Sequence, residues 1–114
     1  QRLERWRRIA FEASKQCGRA FVMQINEITL LETVLDQKNV LLFSERDGGE
    51  LTEGIESPNL TVVFGPKGGW DDVELTAARQ FGATVVTFGG RILRAETAAI
   101  GITAILQNRF GDMN

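Results

Sequence analysis

The sequence contains no histidine, no tyrosine and a single cysteine, Cys17. Without histidine, these residues cannot supply a histidine-based catalytic triad, a histidine general base or histidine ligands for zinc. One cysteine cannot form an internal disulfide, which is typical of proteins of a reducing cytoplasm. No apolar run reaches the ~20 residues that span a bilayer, and the first residues lack the apolar core of a signal peptide. We therefore expect a cytoplasmic protein with no membrane partner and no metal.

Charge is distributed unevenly along the 114 residues, although the net charge is only −2. Residues 1–20 contain six lysines and arginines against two glutamates, whereas residues 27–56 contain eight acids against two bases. A basic first segment can bind the phosphates of a nucleic acid, or it can be an ordinary solvated helix face. Composition alone favours the solvated face, and both interpretations stay open at this point.

Three continuous runs of apolar and β-branched residues predict strands, at residues 40–43, 60–64 and 84–88. Such runs are typical of strands in a parallel sheet that helices cover on both faces. Helical spacing predicts a first helix that ends near Gly18, a short helix over residues 30–35, a helix between the second and third strands, and a last helix. The order strand, glycine-rich loop, helix, strand is that of a βαβ unit. The chain is therefore predicted to be one α/β domain with a mostly parallel sheet and flanking helices.

The predicted helices differ in how they should be buried. Asp71 and Glu74 have the spacing of a capping box at the start of the third helix, in which Val73, Ala77 and Phe81 share one face. In the first helix, Trp6 is expected in the core and Cys17 in a structural role. The long segment between Glu45 and Asn59 is acidic and rich in glycine, so we expect an exposed connection there.

The last predicted helix, Ala95 to Leu106, is apolar nearly all round. A helix buried on one face only would show a polar stripe, so we expect this one to be covered on two sides. Its own sheet is one cover, and a second copy of the chain is the economical choice for the other. We therefore predict a homodimer that packs over Ala98, Gly101 and Ala104.

Two glycine-rich loops follow the second and third predicted strands, at residues 65–70 and 89–94. In the first, FGPKGGWDD, Lys67 precedes the last two glycines and no serine or threonine follows them, so it is not a Walker loop. Neither loop has the G-x-G-x-x-G pattern of a dinucleotide site. Ligands of open α/β sheets bind outside the carboxyl ends of the strands. Two such loops beside one crevice therefore favour a ligand pocket over a pair of tight turns.

Four motifs together resemble one known family, namely ERWRRIAFEASKQCGR, FGPKGGWDDVE, FGGRILRAETAAI and ILQNRFGD. The chain resembles the bacterial ribosomal RNA small subunit methyltransferase E family. The members of this family are 16S rRNA uracil-N3 methyltransferases of the SPOUT superfamily. The resemblance implies a SPOUT-type trefoil-knotted methyltransferase fold and S-adenosylmethionine as the cofactor. It also implies a uridine of 16S ribosomal RNA as the methyl acceptor, and a homodimer formed through the knot region and the last helix.

The resemblance implies roles for individual residues as well. Arg94 and Glu96 are the expected catalytic residues, with Arg94 stabilising negative charge that develops on the uracil. Glu96 is equally compatible with a first-turn carboxylate that the helix dipole favours. Arg5 and Arg19 are the expected contacts to substrate RNA. The expected cofactor contacts come from both loops: Phe64, Gly65, Pro66, Gly68, Gly69, Phe88, Gly89, Arg91, Ile92 and Leu93.

The chain departs from the family pattern in two respects. Members carry a PUA-like RNA-binding domain and a first strand-helix-strand segment before the ERW helix, so residues 1–114 are expected to be a partial SPOUT-like methyltransferase domain, truncated at the N-terminus. Lys67 also stands where the family has glutamate, and a positive side chain that points toward a sulfonium should weaken its binding. Two alternatives therefore stay open: a knotted dimeric domain that binds cofactor or RNA without turnover, and a purely structural one.

Overall fold

The computed structural model describes residues 2–18, 20–51, 59–88 and 94–111. It contains two compact units, Gln1–Leu30 and Leu31–Asn114. The first unit contains helix α1 (Arg2–Cys17) and an irregular segment after it. None of the helices in the described ranges is long and apolar enough to cross a membrane. The second unit contains α2 (Leu31–Leu35), β1 (Val40–Phe43), β2 (Thr61–Phe64), α3 (Asp72–Gln80), β3 (Thr84–Val86) and α4 (Ala95–Phe110).

The three strands form one parallel sheet in the order β2-β1-β3. In its register Val40 pairs with Thr61, and Leu41 pairs with both Val62 and Thr84. All four residues of β1 are buried, as expected for a central strand that is covered on both faces. The predicted parallel α/β sheet is therefore confirmed, and the carboxyl ends of all three strands lie at the same edge.

Helices cover both faces of this sheet. Because successive residues of a strand point to opposite faces, the apolar side chains of β1 are divided between two hydrophobic clusters. The first cluster joins α2 and α3 to one face and contains Leu35, Val40, Leu42, Leu75, Ala78, Ala83 and Val85. The second joins α4 to the other face and contains Leu41, Phe43, Val86, Ile102 and Leu106.

Helix α3 begins with the predicted capping box. The backbone N–H of Glu74 donates to Asp71 Oδ1 at 2.7 Å, and the N–H of Asp71 donates to Glu74 Oε1 at 3.0 Å. The buried face, however, is formed by Leu75 and Ala78, whereas Val73 is 78% exposed. Leu75 lies about 200° around the helix from Val73. The face that we predicted from Val73, Ala77 and Phe81 is therefore not the one that packs on the sheet.

Replacing Asp71 with alanine should lower the free energy of unfolding by about 1 kcal/mol, because the first turn of α3 loses its side-chain acceptor. Asp71→Asn is the matched control, since asparagine is an equally good N-cap and should change stability by only a few tenths of a kcal/mol. The comparison is made by urea denaturation. Equal losses in the two variants would show that charge, and not capping, is responsible.

Helix α1 leaves part of its apolar surface uncovered within its unit. Its buried residues are Ala10 and Ser14, and the Ser14 hydroxyl donates to the Ala10 carbonyl at 2.9 Å. Trp6 is 41% exposed and Ile9 is 53% exposed. The prediction that Trp6 lies in the core is wrong, because Trp6 lies one turn before Ala10, nearer the start of the helix, and is exposed there. Cys17 is exposed and its thiol donates to the Ser14 carbonyl at 3.8 Å, so the structural role of Cys17 stays a prediction.

Helix α4 continues beyond the predicted end at Leu106 to Phe110. It buries Ile102 and Leu106 against the sheet, while Ile100 is 75% exposed and Gly101 and Ala104 are also exposed. An apolar face of α4 is therefore uncovered in the single chain, where we expected a second copy to pack. The homodimer stays a prediction.

Candidate functional site

A cavity of about 490 Å³ lies at the carboxyl ends of the strands in the second unit. This is the edge of an open α/β sheet at which ligands bind, and the volume is within the ~300–1,000 Å³ of small-molecule sites. The residues that line it end or follow β1 and β2, follow β3, or lie in or just before the first half of α4: Phe43, Ser44, Glu45, Phe64, Gly65, Pro66, Lys67, Gly69, Trp70, Phe88, Arg94, Ala95, Glu96, Ala98 and Ile102.

Three stacked phenylalanine rings form one wall of the cavity. The ring centroid of Phe43 lies 5.8 Å from that of Phe64, with an angle of 18° between the planes. It lies 5.6 Å from that of Phe88, with an angle of 5°. The order Phe64–Phe43–Phe88 repeats the strand order β2-β1-β3, because each ring comes from the end of a different strand. This wall offers apolar, aromatic surface to a ligand that has a flat ring system.

The loop after β2 folds as a turn that requires glycine at two positions. Gly69 has a φ of 78°, a value that favours glycine, and its N–H donates to the Pro66 carbonyl at 2.9 Å. A Cβ added to Gly65 would lie only 2.9 Å from Nε1 of Trp70. That indole N–H donates to the carbonyl of Phe43 at 3.0 Å. The turn therefore brings backbone close to the cavity without intervening side chains.

The segment after β1 also reaches the cavity, although the sequence placed it in an exposed connection. It stays beside β3, where the Ser44 N–H donates to Val86 O and the Gly49 N–H donates to Val85 O, both at 3.0 Å, and Gly49 forms a parallel bridge with Val86. This course brings Ser44 and Glu45 to the lining of the cavity. Sequence reasoning missed both residues, and their one available signal was that they follow the carboxyl end of the central strand.

Arg94 and Glu96, the predicted catalytic residues, both line the cavity at the start of α4. Arg94 is the N-cap residue, with extended backbone and no side-chain capping hydrogen bond, and Glu96 lies in the first turn. Both are exposed. With Glu45 and Lys67, the lining carries two acidic and two basic side chains. The structure brings the two predicted residues together, and their chemical roles stay predictions.

The predicted cofactor contacts fall into three groups. Gly68 is exposed and is not part of the cavity lining. Gly89, Arg91, Ile92 and Leu93 lie outside the described residues, as does Arg19 of the predicted RNA contacts. Arg5, the other predicted RNA contact, is an exposed residue of α1 in the first unit. Of the predicted cofactor contacts, those that line the cavity are Phe64, Gly65, Pro66, Gly69 and Phe88.

Comparison with known proteins gives this cavity a context. Residues 1–107 match the model of the RNA methyltransferase domain family. The chain belongs to the RNA methyltransferase domain family. Among its relatives is the ribosomal RNA small subunit methyltransferase E of Mesomycoplasma hyopneumoniae, 36% identical over 104 residues that cover 88% of this chain and 46% of the relative. The protein of the same name from Aquifex aeolicus is 32% identical over 111 residues, which cover 95% of this chain and 48% of the relative.

Solved structures of the same kind share the fold. The crystal structure of a ribosomal RNA small subunit methyltransferase E from Neisseria gonorrhoeae, bound to S-adenosyl methionine, gives a TM-score of 0.84 at 34% identity and covers 99% of this chain and 50% of that one. A putative methyltransferase from Legionella pneumophila, in complex with bound SAM, gives 0.83 at 25% identity, with 93% and 46% covered. The resemblance seen in the motifs is thus confirmed, and the trefoil knot stays a prediction. The chain spans about half the length of the relatives it matches.

Proposed function

We propose that this chain is the catalytic domain of an S-adenosylmethionine-dependent methyltransferase that acts on N3 of a uridine in 16S ribosomal RNA, in the cytoplasm. The observation that carries the proposal is the cavity at the carboxyl ends of the strands, with its aromatic wall and glycine turn. Solved relatives with the same fold hold S-adenosyl methionine. The uridine acceptor is proposed from the resemblance to the methyltransferase E family.

The residues of the cavity fit S-adenosylmethionine in size and in chemistry. The rings of Phe64 and Phe88, each stacked on the ring of Phe43, offer aromatic surface for the adenine. The turn that contains Gly65 and Gly69 presents backbone groups at the cavity lining, with no side chain at either position to keep a ligand away. Glu45 supplies a carboxylate for a positively charged ligand.

Two residues at the start of α4 are proposed to act on the substrate. When it is bound, S-adenosylmethionine supplies a methyl group on an electrophilic sulfonium. For N3 to accept the methyl group, the uridine must release its N3 proton to solvent, and the negative charge that develops spreads onto the uracil oxygens, with S-adenosylhomocysteine as the leaving group. The guanidinium of Arg94 is permanently charged and lines the cavity, so it is suited to stabilise that charge. We propose Glu96 as a second substrate-handling residue; the helix dipole alone also explains a carboxylate there.

The proposed macromolecular contacts lie on two helices. The basic residues of α1, Arg5 among them, supply positive charge for ribosomal RNA, and Arg19 is proposed to join them.

The exposed apolar face of α4, which includes Ile100, is proposed to pack against a second copy of the chain. Light scattering of the purified chain tests the dimer, which should dissociate when Ile100 is replaced by aspartate.

The proposed activity is tested by incubating the chain with S-adenosylmethionine and unmodified small-subunit ribosomal RNA. The RNA is digested to nucleosides, which are separated and weighed by mass spectrometry. We expect 3-methyluridine, and none in a parallel reaction that contains S-adenosylhomocysteine instead. A folded chain that binds the cofactor but yields no methylated nucleoside would contradict the enzymatic proposal.

Lys67 favours a second candidate function, a domain that binds cofactor or RNA without turnover. Its side chain is exposed and lines the cavity. Within the described ranges no salt bridge involves Lys67. Its positive charge is therefore not neutralised by a partner there, and it acts against a cationic ligand.

Lys67→Glu should tighten the binding of S-adenosylmethionine about tenfold, because it exchanges repulsion for attraction at the cavity. Lys38→Glu is the matched control: it makes the same charge change just before β1, at the opposite edge of the sheet, and should alter the affinity less than about twofold. Both are compared by calorimetry at low and high salt, where screening should shrink the gain. An equal effect of the two substitutions would assign it to net charge and not to Lys67.

A further inference from the structure

The loops after β1 and β2 are held together by Trp70, which no motif assigned a role. The indole N–H of Trp70 donates to the carbonyl of Phe43, the last residue of β1, at 3.0 Å. The carbonyl of Trp70 accepts from Nη2 of Arg46 at 3.0 Å. Trp70 is therefore tied to the β1 side by both its side chain and its backbone.

The ring of Trp70 also occupies the space beneath the glycine turn. It packs against the hydrophobic cluster that joins α2 and α3 to the sheet. On its other side, three of its atoms lie 2.9 to 3.3 Å from the position of a Cβ on Gly65. The indole thus stands between the core and the backbone of Gly65 and sets how closely this part of the turn approaches the end of β1.

Arg46 is itself fixed by two carboxylates. Its Nη1 contacts Asp72 Oδ1, at the start of α3, at 2.9 Å and also contacts Asp47. The hydrogen bonds that Arg46 donates, to Asp72 first and to Asp47 second, raise the pKa of Arg46 above its ordinary value. Arg46 therefore stays charged, and it connects the loop after β1 to both the end of the glycine turn and α3. As an exposed ion pair it is a weak contact, so Trp70 carries the greater part of the attachment.

We propose that Trp70 is a positioning residue of the cofactor site, and that Arg46 assists it. Together they hold the turn from Gly65 to Gly69 against the end of β1, so that its backbone and the neighbouring Glu45 already face the cavity before a ligand arrives. Binding then costs less ordering of the loop, which raises affinity without adding a contact. This inference rests on the proposed function, because it concerns the same cavity.

A single substitution separates the hydrogen bond from the ring. Phenylalanine at position 70 fills most of the space of the indole but has no N–H, so the carbonyl of Phe43 loses this donor. Trp70→Phe should therefore loosen the turn while it keeps the apolar packing beneath Gly65. Trp6→Phe is the matched control, since Trp6 is the only other tryptophan in the sequence and lies on α1, in the other unit.

The test is a calorimetric titration of the full chain and both variants with S-adenosylmethionine. We expect Trp70→Phe to weaken binding roughly fivefold to tenfold, about the effect of one lost hydrogen bond, and Trp6→Phe to have no effect. If Trp70→Phe does not fold, Arg46→Ala is titrated in its place. Arg46 is exposed, so this substitution removes the hydrogen bond to the Trp70 carbonyl without disturbing the core. The affinity for S-adenosylmethionine should then fall about threefold.

The fluorescence of Trp70 is a second measurement, and ligand would not change it if Trp70 only stabilised the fold. Trp6→Phe leaves Trp70 as the single tryptophan, so its emission should change saturably on addition of S-adenosylmethionine. Unchanged emission, or equal affinity in Trp70→Phe and the parent chain, would overturn the positioning role and leave the proposed function standing. No binding by the parent chain would overturn both, so the two failures are distinguishable.

Discussion

Gly65→Ala should lower the affinity for S-adenosylmethionine by about a hundredfold, an effect of the size that a misplacement of about 1 Å produces in a preorganised site. The added methyl group would lie 2.9 Å from Nε1 of Trp70 and 3.2 Å from its Cε2. The indole cannot retreat without losing its hydrogen bond to the Phe43 carbonyl. The turn itself must therefore move, and the backbone that faces the cavity moves with it.

Gly49→Ala is the matched control for this substitution. Gly49 lies in the segment after β1, outside the cavity lining, and a Cβ there would meet no atom within 4 Å. Its affinity should stay within about twofold of the parent chain, as expected for a substitution without steric conflict. Affinity is measured by calorimetry, with circular dichroism as a check on folding. Similar losses in the two variants would show that the clash with Trp70 is not the cause.

Arg94→Ala should slow methyl transfer to ribosomal RNA by about a hundredfold or more, the usual cost of removing one group that stabilises transition-state charge. The guanidinium lines the cavity at the first turn of α4, where we propose that it faces the uracil oxygens. The rate is measured in a single turnover at saturating cofactor, so that a change in cofactor affinity does not enter it.

Two further variants test whether the slower methyl transfer in Arg94→Ala is specific to the position and the charge of Arg94. Arg109→Ala removes an exposed arginine from the last turn of the same helix and should leave the rate unchanged. Arg94→Lys keeps the positive charge and should recover part of the rate, because lysine lacks the planar fork of the guanidinium. Equal rates in Arg94→Ala and the parent chain would remove Arg94 from the catalytic residues.

The central part of the fold could be predicted because its sequence signals are local. The continuous apolar run at residues 40–43 became β1, since a strand buried on both faces needs apolar residues at every position, and the run at residues 60–64 became the half-buried edge strand β2. The capping box at Asp71 and Glu74 also depends only on near neighbours. The position of the cavity followed from the rule that parallel strands end at a common edge.

What the sequence could not predict depends on packing between distant residues. Glu45 lines the cavity in a segment that is hydrogen-bonded to β3, some forty residues later in the chain, and such pairing leaves no local signal in the sequence. Trp70 looked like the end of a loop motif, and its bond to Phe43 arises from the arrangement of two loops. Val73 and Leu75 are both apolar, so composition could not decide which of them α3 turns toward the core.

One side of α4 is buried as the sequence predicted, and the other side is exposed in the single chain. Ile100 has the hydrophobicity of a core residue, yet it is 75% exposed in the single chain. The apolar character of α4 predicted burial correctly on the side of Ile102 and Leu106. The opposite side is exposed in the single chain, and it is the side that we propose packs against a second copy.

The most direct measurement is an NMR titration of the isotopically labelled chain with S-adenosylmethionine. The indole N–H of Trp70 gives a resonance separate from that of Trp6, and the backbone amides of Gly65 and Gly69 report on the turn. We predict saturable shifts at these three residues, at about one ligand per chain, with the Trp6 resonance unmoved. A folded chain in which they do not move at saturating ligand would contradict the placement of the cofactor in this cavity.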